Sequence, residues 1–138
     1  MSAVILEADK TGVRSILDNY ISSVIHADIE AYARNIVHDP DMVNFGTDAS
    51  ERFVGWTALR DGIVAQNAAL SAMEIHQHDV TINLSADRRF AWATSLWDFK
   101  AMMGGQTLEA PIRCTWILEK QADGWKIIHF HKSIGATG

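Results

Sequence analysis

The stretch Asp123-Gly124-Trp125-Lys126-Ile127-Ile128-His129-Phe130-His131-Lys132-Ser133 decides the reading of this chain. Asp-Gly is a tight-turn signal between antiparallel strands. The aromatic and β-branched residues that follow it suit a pleated, half-buried surface. Upstream, three more segments have the same character. Residues 108–120 read as a strand, with Pro111 placing a bulge or a sheet edge near its start. Gly104-Gly105 marks the hairpin that joins it to a strand over residues 90–102. Ser85-Ala86-Asp87 closes a further strand over residues 73–84. These segments exceed the usual strand of about 5–6 residues, and long strands in a small domain must twist and bend.

The first half is patterned differently. Val13, Ile16, Leu17, Tyr20, Ile21, Val24 and Ile25 recur at three- and four-residue spacing, which predicts one apolar stripe on a helix capped by Asp9 or Thr11. Asp28 can cap a second helix running to Val37, with Ile29, Tyr32, Ala33 and Ile36 inward. His38-Asp39-Pro40-Asp41 ends it, because the residue before proline avoids the helical region. Residues 42–45 and 52–54 read as short strands around a turn. Gly55 opens a third helix from Trp56 or Thr57 to Ala69, with Leu59, Ile63, Gln66 and Leu70 inward. The tail from Ile134 to Gly138 reads as frayed. Helices first and long antiparallel strands after predict an α+β class: three N-terminal helices packed on a strongly curved, mostly antiparallel sheet. Helix and sheet would enclose a conical pocket within a single domain over residues 1–138.

Composition narrows the function. With 48% hydrophobic and 21% charged residues, the 138-residue chain is neither disordered nor collagenous. A net charge of -5 disfavours nucleic acid as a partner, since phosphate contact needs a basic face. The single cysteine, Cys114, cannot form an intrachain disulfide and suits a reducing compartment. Residues 3–6 form too short an apolar run for a secretory signal, and no run approaches the ~20 residues of a membrane span. The expectation is a cytoplasmic protein without membrane or nucleic-acid partners. Five tryptophans and six histidines are many for such a chain.

Arg113-x-Thr115, followed by Asp123-Gly124-Trp125-Lys126-Ile127-Ile128-His129-x-His131-x-Ser133, resembles the closing hairpin of SnoaL-like proteins. These belong to the nuclear transport factor 2-like superfamily, whose fold is a cystatin-like α+β cone. The resemblance extends in element order over nearly the whole chain. It implies a fold shared by ketosteroid isomerases, polyketide cyclases, dehydratases, epoxide hydrolases and non-catalytic ligand or dimerisation domains, so function must come from the site. In the ketosteroid isomerase branch a helix tyrosine and a protonated strand aspartate form an oxyanion hole while a second aspartate moves the proton. Tyr20 stands at the tyrosine position, Asn44 near the base position and Arg113 at the strand aspartate, so two of those three groups are absent. The resemblance is to the SnoaL-like group with arginine on this strand and histidine on the last.

Alternation places His129 and His131 on one face with Trp125, Ile127 and Ser133, and the resemblance makes that face concave. A histidine in an apolar pocket titrates near neutrality, which suits acid/base chemistry. Each also fits a hydrogen-bonded residue at a strand end or a dimer contact. Arg113, sharing a face with Thr115, is either an anion clamp or the ion-pair partner of Glu109, Asp98 or Asp41. The expected chemical residues are therefore His131, His129, Tyr20 and Arg113. Trp92, Trp56, Asn44, Thr115, Ile127 and Ser133 would contact the ligand, though Trp56 also fits ordinary core packing. Ile112, Cys114, Trp116 and Leu118, with Ile128 and Phe130, would form an apolar convex patch closed by a homodimer.

The expected function is binding of a small, largely apolar carbonyl or hydroxyl compound, with cofactor-free acid/base isomerisation, cyclisation, dehydration or hydrolysis. The alternative is a non-catalytic ligand-binding or dimerisation module. A third reading is a metal-dependent variant using His76-x-His78 with the later pair. Strand histidine pairs are common on solvated faces, and the first and last long strands would not be neighbours, so no metal or other cofactor is expected.

Overall fold

The computed structural model describes residues 2–136. Helix α1 (Ala3–Ile25) starts well before the apolar stripe, at Ser2, whose hydroxyl accepts from the Ile5 amide at 3.3 Å. Asp9 is no cap. It lies inside the helix, 6% exposed, between Arg88 Nε at 2.7 Å and Lys120 Nζ at 2.8 Å. This clamp ties the first half of α1 to the far end of the sheet. Asp28 caps α2 (Ile29–Arg34), its carboxylate accepting from the Ala31 amide at 3.0 Å.

Helix α2 is shorter than its sequence pattern predicts, because the last strand takes over its backbone. The Ile127 amide donates to Asn35 O at 2.8 Å, and the Val37 amide donates to Ile127 O at 3.0 Å. A short hairpin, β1 (Val43–Phe45) and β2 (Arg52–Val54), leads into α3 (Gly55–Ala69). Gly55 has φ +81°, and a Cβ there would stand 2.8 Å from Pro40 O. Only glycine meets both constraints.

Four long strands follow: β3 (Ser71–Leu84), β4 (Phe90–Met103), β5 (Gln106–Gln121) and β6 (Gly124–Ser133). The sheet order is β2-β1-β6-β5-β4-β3, antiparallel throughout except where β1 meets β6. Register shifts lie between Ser71 and Glu74 and between His78 and Thr81 on β3. Ala72 and Asp79, within those shifts, have φ 49° and 51°. Such bulges bend a strand and sharpen its twist, and here they curl the sheet around α1. Pro111 keeps unbroken register with Asp98, whereas β6 reaches β5 only as far as Arg113. Of the two readings of Pro111, the structure has the edge. The residues at 134–136 follow β6 without regular structure, and residues 137 and 138 of the tail lie outside the described residues.

The structure reverses the expected assignment of sheet faces. Ile112, Cys114, Trp116 and Leu118 point inward and are buried, so the supposed convex patch is core. Arg113 and Thr115 point outward and are exposed. On β6, Trp125 and Ile127 are buried inside, yet so is Phe130. The cause is a bulge at Ile128: Ile117 pairs with His129, and the next residue, Leu118, pairs with Ile127. One extra residue moves every later side chain to the opposite face. Phe130 and Lys132 therefore enter the cone, while His131 and Ser133 leave it.

Two substitutions probe this frame. Asp9→Asn should lower the unfolding free energy at neutral pH by about 1–3 kcal/mol, the cost of losing charged hydrogen bonds. Lys120 and Arg88 hold the Asp9 carboxyl below the ordinary aspartate range, so its contribution is present above about pH 4 and lost as pH falls through the folded value. The gap between parent and variant should close in acid, as read by urea unfolding across pH. Gly55→Ala should cost about 1–3 kcal/mol in the same assay through strain at positive φ.

Candidate active site

Inside the cone, α1 delivers Tyr20, α2 delivers Tyr32, and the sheet delivers Trp97, Cys114, Trp116, Phe130 and Lys132. Tyr20 and Tyr32 are fully buried, and their hydroxyls lie 3.0 Å apart. Lys132 Nζ donates to Tyr20 Oη at 2.5 Å. The result is a row of three polar groups, Lys132–Tyr20–Tyr32, in an otherwise aromatic interior. The Lys132 ammonium lies 4.5 Å from the ring centroid of Phe130, 4.6 Å from Tyr20, 4.9 Å from Trp97 and 5.8 Å from Trp116. Among the described residues, no carboxylate lies within 4.0 Å of it. Trp116 Nε1 donates to Ser95 Oγ and Trp97 Nε1 to Gln77 Oε1, which fixes both indoles.

This setting shapes the titration of the row. Burial pulls Lys132 down to about 8, opposed by the more distant Glu51 and by Cys114, its cross-strand partner. Tyr20 is pushed well above the usual tyrosine range by burial and by Tyr32. Burial pushes the Cys114 thiol up to about 11, so it is no ready nucleophile. Near neutrality the row thus holds two protonated phenols and an amine that can gain or lose its proton. Asn44, on the inner side of β1, accepts from the Phe130 amide at 2.8 Å, and its Nδ2 is buried with no partner among the described residues.

The predicted site residues fall into three places. Tyr20 and Asn44 are inside, together with Ile127, which is packed deep in the core. Trp56 is half-buried at the start of α3, stacked 4.2 Å from His38 and 6.5 Å from Tyr32. Trp92, Arg113, Thr115, His131 and Ser133 are on the outer face, so Tyr20, Arg113 and His131 do not meet in one cavity. Trp92 is 48% exposed. Arg113 pairs with none of the three acids considered; its Nε donates to Ser133 Oγ at 3.1 Å. Exposed His131 packs 5.0 Å from Phe45. His129 Nδ1 donates to Val43 O at 2.5 Å, joining β6 to β1. The His76–His78 pair lies on β3, separated from His129 and His131 by two strands. Among the described residues, no three His, Cys, Asp or Glu side chains cluster to share an ion.

Lys132, Tyr32, Trp97 and Trp116 were missed as site residues. For Lys132 the trace that could have found it is Ile127-Ile128, two successive apolar residues where a half-buried strand alternates. Reading a bulge there puts Phe130 and Lys132 on the same side as Trp125 and Ile127.

A cation held in an aromatic interior should lower stability where it is charged. The unfolded chain holds the Lys132 proton up to about pH 10.5, the folded chain only to about 8. Folding stability should therefore rise with pH across that window. Below pH 8, Lys132→Met should be more stable than the parent, on the order of 1–3 kcal/mol after allowance for solvent at the open side. The advantage should vanish above pH 10.5, as checked by chemical unfolding at a series of pH values.

No helix of the described residues is long and apolar enough to cross a membrane. No curated protein matches the chain significantly. Among solved structures, a nuclear transport factor 2-like superfamily protein from Salmonella enterica superposes with TM-score 0.86 at 20% identity, covering 96% of this chain and 94% of that one. A protein of the same superfamily from Streptomyces avermitilis, proposed to be a dehydratase, gives 0.85 at 12% identity over 95% and 99%. A ketosteroid isomerase-like protein from Erwinia carotovora gives 0.75 at 17% identity over 92% and 96%. These likenesses establish the cone. Residues 13–137 match the SnoaL-like domain, and the chain belongs to that family.

Proposed function

We propose that this domain binds a small, largely apolar carbonyl or hydroxyl compound at the mouth of the cone, and that Lys132 meets its polar oxygen. The observation that carries this reading is the Lys132 ammonium bound to Tyr20 Oη inside four aromatic rings, without a carboxylate within 4.0 Å among the described residues. An ammonium in low-dielectric surroundings is a strong partner for an oxyanion such as an enolate or phenolate. A lysine that titrates near 8 is also suited to move a proton near neutral pH. Tyr20 and Tyr32, fully buried behind it, fix the amine, and both phenols are protonated at rest.

The proton-moving role first considered for His131 and His129 and the anion-holding role of Arg113 pass in this reading to Lys132, because His131 and Arg113 lie on the outer face and His129 is engaged with Val43 O. Asn44 adds a second inward donor. Dehydration, the activity proposed for the Streptomyces neighbour, is one that such a centre would serve without a cofactor.

A dimerisation role has its own support. The outer face exposes Trp92 and Leu96, at 48% and 37%, beside polar Thr94, Thr115 and His131. An apolar pair with a polar rim suits a second copy of this chain, and the homodimer proposal moves to this face. Light scattering should give a dimer mass for the parent and a monomer mass for Leu96→Asp; a parent that is monomeric removes this proposal.

For the cone, the test is titration with para-nitrophenol followed by its absorbance. The bound phenol should ionise at lower pH than the free one. Lys132→Met should abolish that shift, and Tyr20→Phe, which removes the hydrogen bond that fixes the amine, should weaken binding about tenfold. Absence of saturable binding, or an unchanged shift in Lys132→Met, overturns the reading.

A further inference from the structure

Lys132 is set apart from the other lysines whose partners are visible. Lys100 faces Glu109 at 3.8 Å, Lys120 binds Asp9 at 2.8 Å, and Lys126 binds Arg34 O at 2.6 Å with Asp123 at 3.5 Å. Each of those amines is held as a cation by oxygen partners. Lys132 has a phenol hydroxyl and ring faces instead, and the residue as a whole remains partly exposed. We infer that Lys132 captures an aldehyde or ketone ligand covalently, as an imine, with Tyr20 handling the proton. This rests on the reading that the cone binds a carbonyl compound at Lys132.

The chemistry balances without a co-reactant. The neutral amine attacks the carbonyl carbon; the C–N bond forms, the C=O π bond opens, and a proton passes from nitrogen to oxygen to give a carbinolamine. Tyr20 Oη, at 2.5 Å from Nζ, then delivers a proton to the departing hydroxyl. The C–O bond breaks and water leaves as the nitrogen lone pair closes the C=N bond. The remaining N–H proton returns to Tyr20, so that amine plus carbonyl become imine plus water. The arrangement favours each stage. Apolar walls raise the fraction of neutral, nucleophilic amine. Tyr32 Oη, 3.0 Å from Tyr20 Oη, supports the phenol while its proton is away. The positively charged iminium forms where the ammonium now sits, over Phe130, Tyr20, Trp97 and Trp116, whose faces attract a cation.

The experiment is reductive trapping on the full-length protein with benzaldehyde and cyanoborohydride near pH 8, read by intact mass and peptide mapping. A benzyl adduct should form at Lys132 at least about tenfold faster than at Lys10, Lys100, Lys120 or Lys126, since a lowered pKa leaves far more free amine. Tyr20→Phe should slow labelling at Lys132 and leave the other four unchanged, and para-nitrophenol should protect Lys132. Because mapping on the parent protein reports all five lysines at once, the result does not depend on a Lys132 variant folding. Labelling spread evenly, or confined to the other four lysines, overturns the imine. If para-nitrophenol still binds in a Lys132-dependent way, only the covalent step falls. If neither ligand engages Lys132, the carbonyl-binding reading falls with it.

Discussion

The pairing of β5 with β6 slips by one residue at Ile128, and the interior depends on that slip. Before it, Trp125 and Ile127 fill the closed part of the cone under α1 and α2; after it, Phe130 and Lys132 take the inward positions. An unbroken ladder would continue with His129, His131 and Ser133 inside and leave the Lys132 ammonium in solvent. The bulge instead seats Phe130 against Trp116 and Tyr20, and carries Lys132 to the Tyr20 hydroxyl. It also leaves His129 free to bind Val43 O, which secures the parallel pairing of β1 with β6.

Lys132 is costly where it lies. Taking an ammonium out of water costs several kcal/mol even after relaxation. Aromatic faces return about 2 kcal/mol when desolvated, and one phenol hydrogen bond returns about 1–3 kcal/mol. The deficit appears as the lowered pKa of the amine. Ion pairing elsewhere stabilises this fold, as Asp9 with Arg88 and Lys120 illustrates. A second lysine placed without such a partner, among rings and beside a tyrosine pair, is a local conflict of the kind that collects at functional sites.

Much of this architecture was legible in the sequence because its periods are plain. The three- and four-residue spacing from Val13 to Ile25 gave the inward stripe of α1, Tyr20 included, and the Gly-Gly and Asp-Gly turns gave the two closing hairpins. The start of α1 was hidden because residues 3–12 carry Glu7, Asp9 and Lys10 among apolar residues. What holds Asp9 inside is a contact with Arg88 and Lys120, distant in sequence. The end of α2 was hidden for a similar reason, since Asn35 and Val37 are claimed by Ile127. The site was legible only in part. Counting alternation through Ile128 without the bulge exchanged the two faces of β6 beyond that residue, and the expected pocket followed His131 outward while Lys132 went in.

The enclosure of Lys132 by indoles has an optical consequence. Trp97 and Trp116 are buried at 3% and 0% exposure, with the amine 4.9 and 5.8 Å from their ring centroids. A nearby charge perturbs the excited state of an indole, so the emission of these two residues is coupled to the charge on one nitrogen atom. Any event that neutralises, displaces or covalently alters that nitrogen changes the light the protein gives out. The domain therefore carries an intrinsic reporter of its own interior, readable without a label or a known substrate.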